Sequence, residues 1–287
     1  MKPKFLMSIV IALSFAGAVA ARAEALRISP EWLKTNAATH KIIILDARLP
    51  ENYSMDHIPG AISFPETLTY QQKAVSGKIV EPDIMQRMVR ERGINQGDLI
   101  VVYDNGELID ASRVFWALEV YGLNQVRVMV GGYTQWSKSG YPITSETPEI
   151  AHSQFVPSID HRKIASKFFV QLATANPRLV IIDARPEKAY RGIESSAKRF
   201  GHIPSAINIP ASKNLQASSR VGEFQGIIDL RATYSNLPLD KKVIVYCGNG
   251  RVSSTHYLAL RELGYDVSNY DASWLEWGND LNLPVEK

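Results

Sequence analysis

The seven residues Ile42-Ile43-Ile44-Leu45-Asp46-Ala47-Arg48 return, slightly changed, as Leu179-Val180-Ile181-Ile182-Asp183-Ala184-Arg185. His57-Ile58-Pro59-Gly60-Ala61-Ile62 returns as His202-Ile203-Pro204-Ser205-Ala206-Ile207. A chain with this much internal likeness, in the same order twice, is built from two copies of one folding unit. Further matches follow: Leu99 to Tyr103 with Lys242 to Tyr246, Trp116-Ala117-Leu118 with Leu258-Ala259-Leu260, and Gly131 to Trp136 with Asp271 to Trp274. Within each copy, apolar runs of four or five residues alternate with helix-length stretches and are bounded by Asp, Gly or Pro. That pattern predicts an α/β unit whose parallel sheet is covered by helices on both faces. Ligands of such a sheet sit beyond the carboxyl ends of its strands. The expected boundaries are residues 24–144 for the first unit and 159–287 for the second. Between them, residues 145–158 carry Pro148 and Pro157 and no clear period, and read as a linker.

The first 23 residues stand outside the repeat. Lys2 and Lys4 precede an apolar run from Phe5 to Ala20, and Ala21-Arg22-Ala23 supplies small residues where a signal peptidase reads. This predicts a cleavable secretory leader over residues 1–23 and a periplasmic mature protein. The apolar run, about 16 residues, is shorter than the roughly 20 of a spanning helix, and no later stretch is long enough, so no membrane role is expected after cleavage. The formal charge of +3 rests on Lys2, Lys4 and Arg22. Without them the chain is neutral, which removes electrostatic support for a nucleic-acid partner. The six histidines show no paired ligand spacing, and neither a metal nor another cofactor is expected.

Cys247 is the only cysteine. It stands where the apolar run Lys242 to Tyr246 meets Gly248-Asn249-Gly250 and a helix-like stretch. Glycines let the chain bend so that N–H groups turn inward, and the helix start adds its positive dipole end. The result is an anion cradle that favours a nucleophilic thiolate. Superposing Tyr103 on Tyr246 puts Asp104 opposite Cys247, so only the second copy can perform thiol chemistry. The copies differ again in spacing: Asp46 to His57 is 11 positions, Asp183 to His202 is 19. The extra residues fall within Arg191 to Phe200, where Arg191, Lys198 and Arg199 are expected to hold an anionic substrate. Asp46 with Arg48, Asp183 with Arg185, His57 and His202 occur in both copies and read as parts of the fold, with Arg185 also a candidate ligand. Trp274 and Trp277 read as core. A phosphatase on this plan needs an arginine six positions after the cysteine. Position 253 is Ser253 and the arginine, Arg251, lies four on, which excludes that class.

With these elements in hand, the chain resembles the tandem-domain rhodanese-type sulfurtransferases, the thiosulfate and 3-mercaptopyruvate sulfurtransferase family, over nearly its whole mature length. The resemblance is carried by Tyr270-Asp271-Ala272-Ser273-Trp274-Leu275-Glu276-Trp277, the His-Ile-Pro elements, Gly131-Gly132 with Trp136, and the cysteine loop. That loop, Cys247-Gly248-Asn249-Gly250-Arg251-Val252, is nearer to the Cys-Gly-x-Gly opening of the mercaptopyruvate group than to Cys-Arg-Lys-Gly of the thiosulfate group. The resemblance implies two rhodanese-like domains, the first inactive, a persulfide on Cys247 and a site between the domains. Cys247 is then expected to attack a small anionic sulfur donor and pass the sulfur to a thiol, cyanide or a redox protein. Amides from Gly248 to Val252, including those of Asn249 and Gly250, would hold the sulfur anion, with Arg251, Arg191 and Arg185 as further substrate ligands. Three positions depart from the mercaptopyruvate enzymes: Asn249 replaces their relay serine, Ala189 before Tyr190 replaces their substrate arginine, and Pro65, followed by Glu66, replaces a first-domain aspartate. A noncatalytic carrier module delivering persulfide sulfur to a partner is the alternative.

Overall fold

A computed structural model describes residues 25–71, 77–216 and 223–287; the leader expected over 1–23 lies outside them. The apolar runs become strands because aliphatic and β-branched side chains pack well on both sides of a pleated ribbon. In the first half these are β1 (Arg27–Ile28), β2 (Ile42–Asp46), β3 (Ala61–Ser63), β4 (Leu99–Tyr103) and β5 (Val126–Met129). In the second they are β6 (Leu179–Asp183), β7 (Ile207–Asn208), β8 (Lys242–Tyr246) and β9 (Val267–Asn269). Every ladder is parallel, in the orders β1-β5-β4-β2-β3 and β7-β6-β8-β9. Asp46 pairs in register with Tyr103 as Asp183 does with Tyr246, so the sequence repeat is also a spatial one.

The first sheet is accompanied by α1 (Pro30–Ala37), α2 (Pro50–Met55), α3 (Pro82–Glu91), α4 (Ile109–Val120) and α5 (Gly132–Lys138). The second has α6 (Lys167–Ala173), α7 (Glu187–Tyr190), α8 (Ile227–Thr233), α9 (Ser253–Glu262) and α10 (Ser273–Trp277). Pro30, Pro50 and Pro82 open their helices, where a missing N–H is no loss. Ser29 and Ser166 cap α1 and α6 by accepting the amides of Trp32 and Phe169.

Alternation along the central strands shows which helices cover which face. Ile100 and Val102 of β4, with Val243 and Val245 of β8, enter one apolar core shared by Phe115 and Trp116 of α4 and Tyr257 and Leu258 of α9. Their neighbours turn outward: Val101 and Tyr103 to Leu33 and Trp136, Ile244 and Tyr246 to Val170, Trp274 and Trp277. Both sheets are therefore covered on both faces, and the middle helical layer belongs to the two halves together. Glu119 of α4 lies buried in that seam, accepting from Tyr257 Oη at 2.6 Å and Arg261 Nη2 at 2.8 Å, with Lys163 Nζ at 3.4 Å. Burial pushes its carboxyl up, but Arg261 and Lys163 outweigh this and hold it below the usual range. Removing one partner of such a buried pair costs about 3–5 kcal/mol, so α4 and α9 are fastened by more than apolar contact. Residues 145–158 run without helix or strand, with Phe155 buried and Ser153 and Ser158 donating to the carbonyls of Arg90 and Tyr121.

One match shifts register. The amides of Tyr133 and Trp274 make equivalent bonds, to the carbonyls of Asp104 at 2.7 Å and Cys247 at 3.1 Å. Trp136 corresponds instead to Trp277, the two indoles donating to Pro142 O at 2.7 Å and Pro284 O at 2.8 Å. Matching Trp136 to Trp274 misplaces this element by three residues, because a second tryptophan, Trp277, is the true counterpart.

Candidate active site

Each half builds the same clamp at the carboxyl end of its central strand. Asp183 accepts from Arg185 Nε at 3.0 Å and Nη2 at 2.6 Å and from Tyr246 Oη at 2.6 Å; Tyr246 Oη in turn accepts the Ile203 N–H at 3.2 Å. Asp46, Arg48, Tyr103 and Ile58 repeat the set. His202 stacks on Tyr190 at 3.8 Å and His57 on Tyr53 at 3.9 Å, each with Nδ1 against that tyrosine's carbonyl. Arg185 also lies over the Trp274 ring at 4.3 Å. Chemistry must therefore come from what the clamp supports in one half only.

In the second half it supports Cys247, which is buried. The Cys247 N–H donates to Ser273 Oγ at 3.0 Å, the Cys247 carbonyl takes the Trp274 N–H at 3.1 Å, and the Gly248 carbonyl takes the Leu275 N–H at 2.9 Å. The start of α10 is thus a splint along the loop. Ser273 holds this place in the left-handed region, φ 54°, its hydroxyl donating to Tyr270 O at 2.7 Å. The Gly250 N–H donates to Cys247 Sγ at 3.2 Å, and the amides of Asn249, Arg251 and Val252 meet no acceptor among the described residues. Gly250 makes the bend: φ is +78°, and a Cβ there would lie 2.4 Å from the Asp271 carbonyl. Gly248 is not left-handed, and a Cβ on it would meet only Ser196 Oγ at 4.0 Å. It leaves a wall open and does not turn the chain.

That wall belongs to a cavity of about 440 Å³, lined by Cys247, Gly248, Asn249, Val252, Arg185, Ala189 and the segment Glu194 to Ser196. The insertion does reach the site, but with hydroxyls and a carboxylate. Arg191 is exposed and pairs with Glu187 at 2.7 Å, Lys198 is exposed, and Arg199 donates to Trp277 O at 3.0 Å and to Leu283 O. Arg191 is not brought to the cavity. Arg251, too, lies off its lining: its Nε reaches Glu66 Oε1 at 2.9 Å and Asp110 Oδ1 at 2.8 Å, both in the first half. All the described lining residues come from the second half. The first half stands behind the loop. The Asp271 carboxylate accepts the Ile79 N–H at 2.6 Å, and a Cβ on Gly77 would lie 2.4 Å from Asn249 O.

In the first half the clamp supports Asp104. Its carboxylate accepts amides of Gly106 at 2.8 Å and of Leu108, Asp110 and Ala111 at 3.2 Å. Burial raises this carboxyl to about 6, against the pull of those amides.

Sequence reasoning alone does not find Ser273, Asp271 or Ser196. For Ser273 a signal existed in Gly132, which occupies the same place in the other copy with φ +48°: a serine where its twin needs glycine is there for its hydroxyl.

The model of the rhodanese-like domain matches residues 29–139 and 169–280. The chain is 30% identical over 278 residues to the 3-mercaptopyruvate sulfurtransferase of Escherichia coli K12, covering 90% of this chain and 97% of that protein. Its shape is similar to the crystal structure of SseA from Escherichia coli, a 3-mercaptopyruvate sulfotransferase: TM-score 0.77 at 29% identity, over 87% of this chain and 99% of that one. The fold is shared with YnjE, TM-score 0.80 at 20% identity, over 91% of this chain and 68% of that one. Two matched domains, one clamp built twice and a single cysteine at the end of the second sheet make this chain a tandem member of the rhodanese-like family.

Proposed function

We propose that the protein is a sulfurtransferase that carries sulfane sulfur on Cys247, from 3-mercaptopyruvate or thiosulfate to a thiol or cyanide. One observation carries this reading: the sulfur sits at the end of the central strand, on an amide, facing a cavity. With thiosulfate, the thiolate attacks the outer sulfur; the Cys247 S–S bond forms, the bond to the sulfonate sulfur breaks, and its electron pair leaves with sulfite. With mercaptopyruvate, the carbon–sulfur bond breaks and the substrate's thiol proton ends on the carbon of pyruvate. Either half-reaction leaves a persulfide anion, which amides of the loop stabilise. An acceptor thiolate or cyanide then takes the outer sulfur and frees the thiolate.

Among the described residues Arg185 is the one cation lining the cavity, and it already shares its charge with Asp183, while Glu194 adds a carboxylate. Such a balance suits a monocarboxylate better than a dianion, which favours mercaptopyruvate as donor. Ser196 offers a hydroxyl beside the loop. Arg251 and Arg191 could reach a donor only by leaving their carboxylates. The mature protein works in the periplasm, on the strength of the leader pattern over residues 1–23, and a redox-protein thiol is then an available acceptor; amino-terminal sequencing of the exported protein should begin at Glu24. No helix among the described residues is long and apolar enough to cross a membrane.

Incubation with each donor, followed by intact mass, tests the main reading. A gain of one sulfur that cyanide removes supports it; no gain with either donor overturns it. A gain without turnover leaves the carrier role.

A further inference from the structure

Arg113 lies nine positions after Asp104, as His256 lies nine after Cys247, on a helix whose neighbouring residues Val114 to Leu118 are apolar and buried. A buried guanidinium costs several kcal/mol unless its donors are met. Those of Arg113 are met: Nε by Thr69 Oγ1 at 3.0 Å, Nη2 by Gly77 O at 3.1 Å and Thr69 O at 3.5 Å, Nη1 by Gly250 O at 3.3 Å. The rings of Tyr70 and Trp116 flank it at 4.3 and 4.5 Å. The acceptors on Thr69 and Gly77 lie in its own half, and the Nη1 bond crosses to the cysteine loop. Gly250 O is also held from its own side, by Ser254 Oγ at 2.9 Å and Asn269 Nδ2 at 3.3 Å. In a trans peptide the C=O and N–H point in opposite directions.

We propose that Arg113, in the half without a cysteine, is a positioning residue for sulfur transfer: it fixes the Gly250 carbonyl toward the seam and so turns the Arg251 N–H into the loop that holds the sulfur anion. The proposal rests on Cys247 as the sulfur carrier. It gives the first domain a part in the chemistry without a reactive group of its own. Burial lowers the pKa of Arg113, while Tyr70, Asp271, Glu66 and the Cys247 sulfur, the groups that face it, push it back up. The guanidinium and the sulfur are thus electrostatic neighbours as well as partners through Gly250.

The test uses the full chain with Arg113→Gln and Arg113→Lys, each checked for folding by thermal unfolding. Three quantities are read: kcat and KM with the better donor, the pH midpoint of Cys247 alkylation by iodoacetamide, and sulfur uptake by mass. Arg113→Gln should still take up one sulfur but lose about 10- to 100-fold in kcat with KM within about threefold, as expected of misplaced groups. Its alkylation midpoint should move to higher pH. Arg113→Lys keeps the charge without the fork, so its midpoint should return toward wild type while kcat stays low. Folded variants with kcat within about twofold of wild type and an unmoved midpoint would overturn the proposal. Should neither variant fold, Thr69→Val removes the acceptor of Nε and decides the matter by the same readouts. Failure of wild type to take up sulfur would refute the function on which the proposal rests, while the alkylation midpoint reports separately whether Arg113 orients the loop.

Discussion

The two halves set different acidic groups on one scaffold. Beyond β4 the loop closes on Asp104, whose carboxylate takes four amides; beyond β8 it holds Cys247 with one amide on the sulfur. An aspartate oxygen stands two bonds from Cβ, as does the outer sulfur of a cysteine persulfide, whose bonds are longer. The idle half therefore shows, in permanent form, the kind of anion the active half holds only between half-reactions. A cradle whose anion is part of the chain has no room for turnover. What separates a structural loop from a catalytic one here is whether the anion can leave.

The largest effect expected of any substitution follows directly. Cys247→Ser should abolish sulfur transfer and change stability by no more than about 1 kcal/mol, since one small residue replaces another; turnover above a few per cent of wild type would show a second nucleophile. Next comes a residue of the idle half. Gly77→Ala drives a Cβ onto the Asn249 carbonyl, and a displacement near 1 Å at a reacting centre costs about 100-fold. Gly60→Ala, equally left-handed but with nothing within 4 Å of its Cβ, should leave kcat/KM unchanged. Equal kinetics for the two variants would mean that the first half does not shape the loop.

The halves should also answer pH in opposite senses. The Asp104 carboxyl rises from a usual 3.8 to about 6, so the folded state holds its proton more tightly. That contribution is complete below about 4 and is lost as pH climbs to 6, at most about 3 kcal/mol. His256 is driven down from 6.5 to about 4 by burial, against the Ile209 carbonyl bond that favours its proton. Its contribution is complete above 6.5 and is lost as pH falls to 4, again about 3 kcal/mol. Denaturant titrations should show Asp104→Asn gaining stability relative to wild type from pH 4 to 6, and His256→Gln losing it over the same range. Parallel slopes would refute both assignments. The smallest contrast compares Arg48→Lys with Arg185→Lys. Both weaken a clamp, but only the second lowers kcat/KM, by about tenfold, the worth of one charge-assisted bond.

Much of this architecture was legible because it is local. A continuous apolar run of four or five residues bounded by Asp or Gly specifies a buried strand, and the return of such runs in one order specifies two sheets; Asp104 opposite Cys247 follows from aligning Tyr103 with Tyr246. Side-chain destinations were not. The pairing of Arg251 with Asp110 spans 141 positions, and no spacing announces it. The insertion's cations looked like substrate ligands by charge alone, yet Arg199 turns to carbonyls near the chain's end and Arg191 to a glutamate one turn back. A cation goes to the nearest unmet acceptor, and which acceptor is near is a property of the folded seam. The tryptophan register is hidden for a related reason: Trp274 and Trp277 lie three positions apart, and only the backbone bond to Cys247 shows which of them Trp136 matches.

The contacts behind the cysteine loop also have a consequence in time. Gly77, Ile79 and Arg113 all precede Cys247 in the chain, and a polypeptide is made from its amino end, its first domain folding as a unit before the next is complete. The surface that receives Gly250 and Asp271 therefore exists before the thiol does. The reactive loop is cast against a finished mould, and the half that performs no transfer is the half that must be made first.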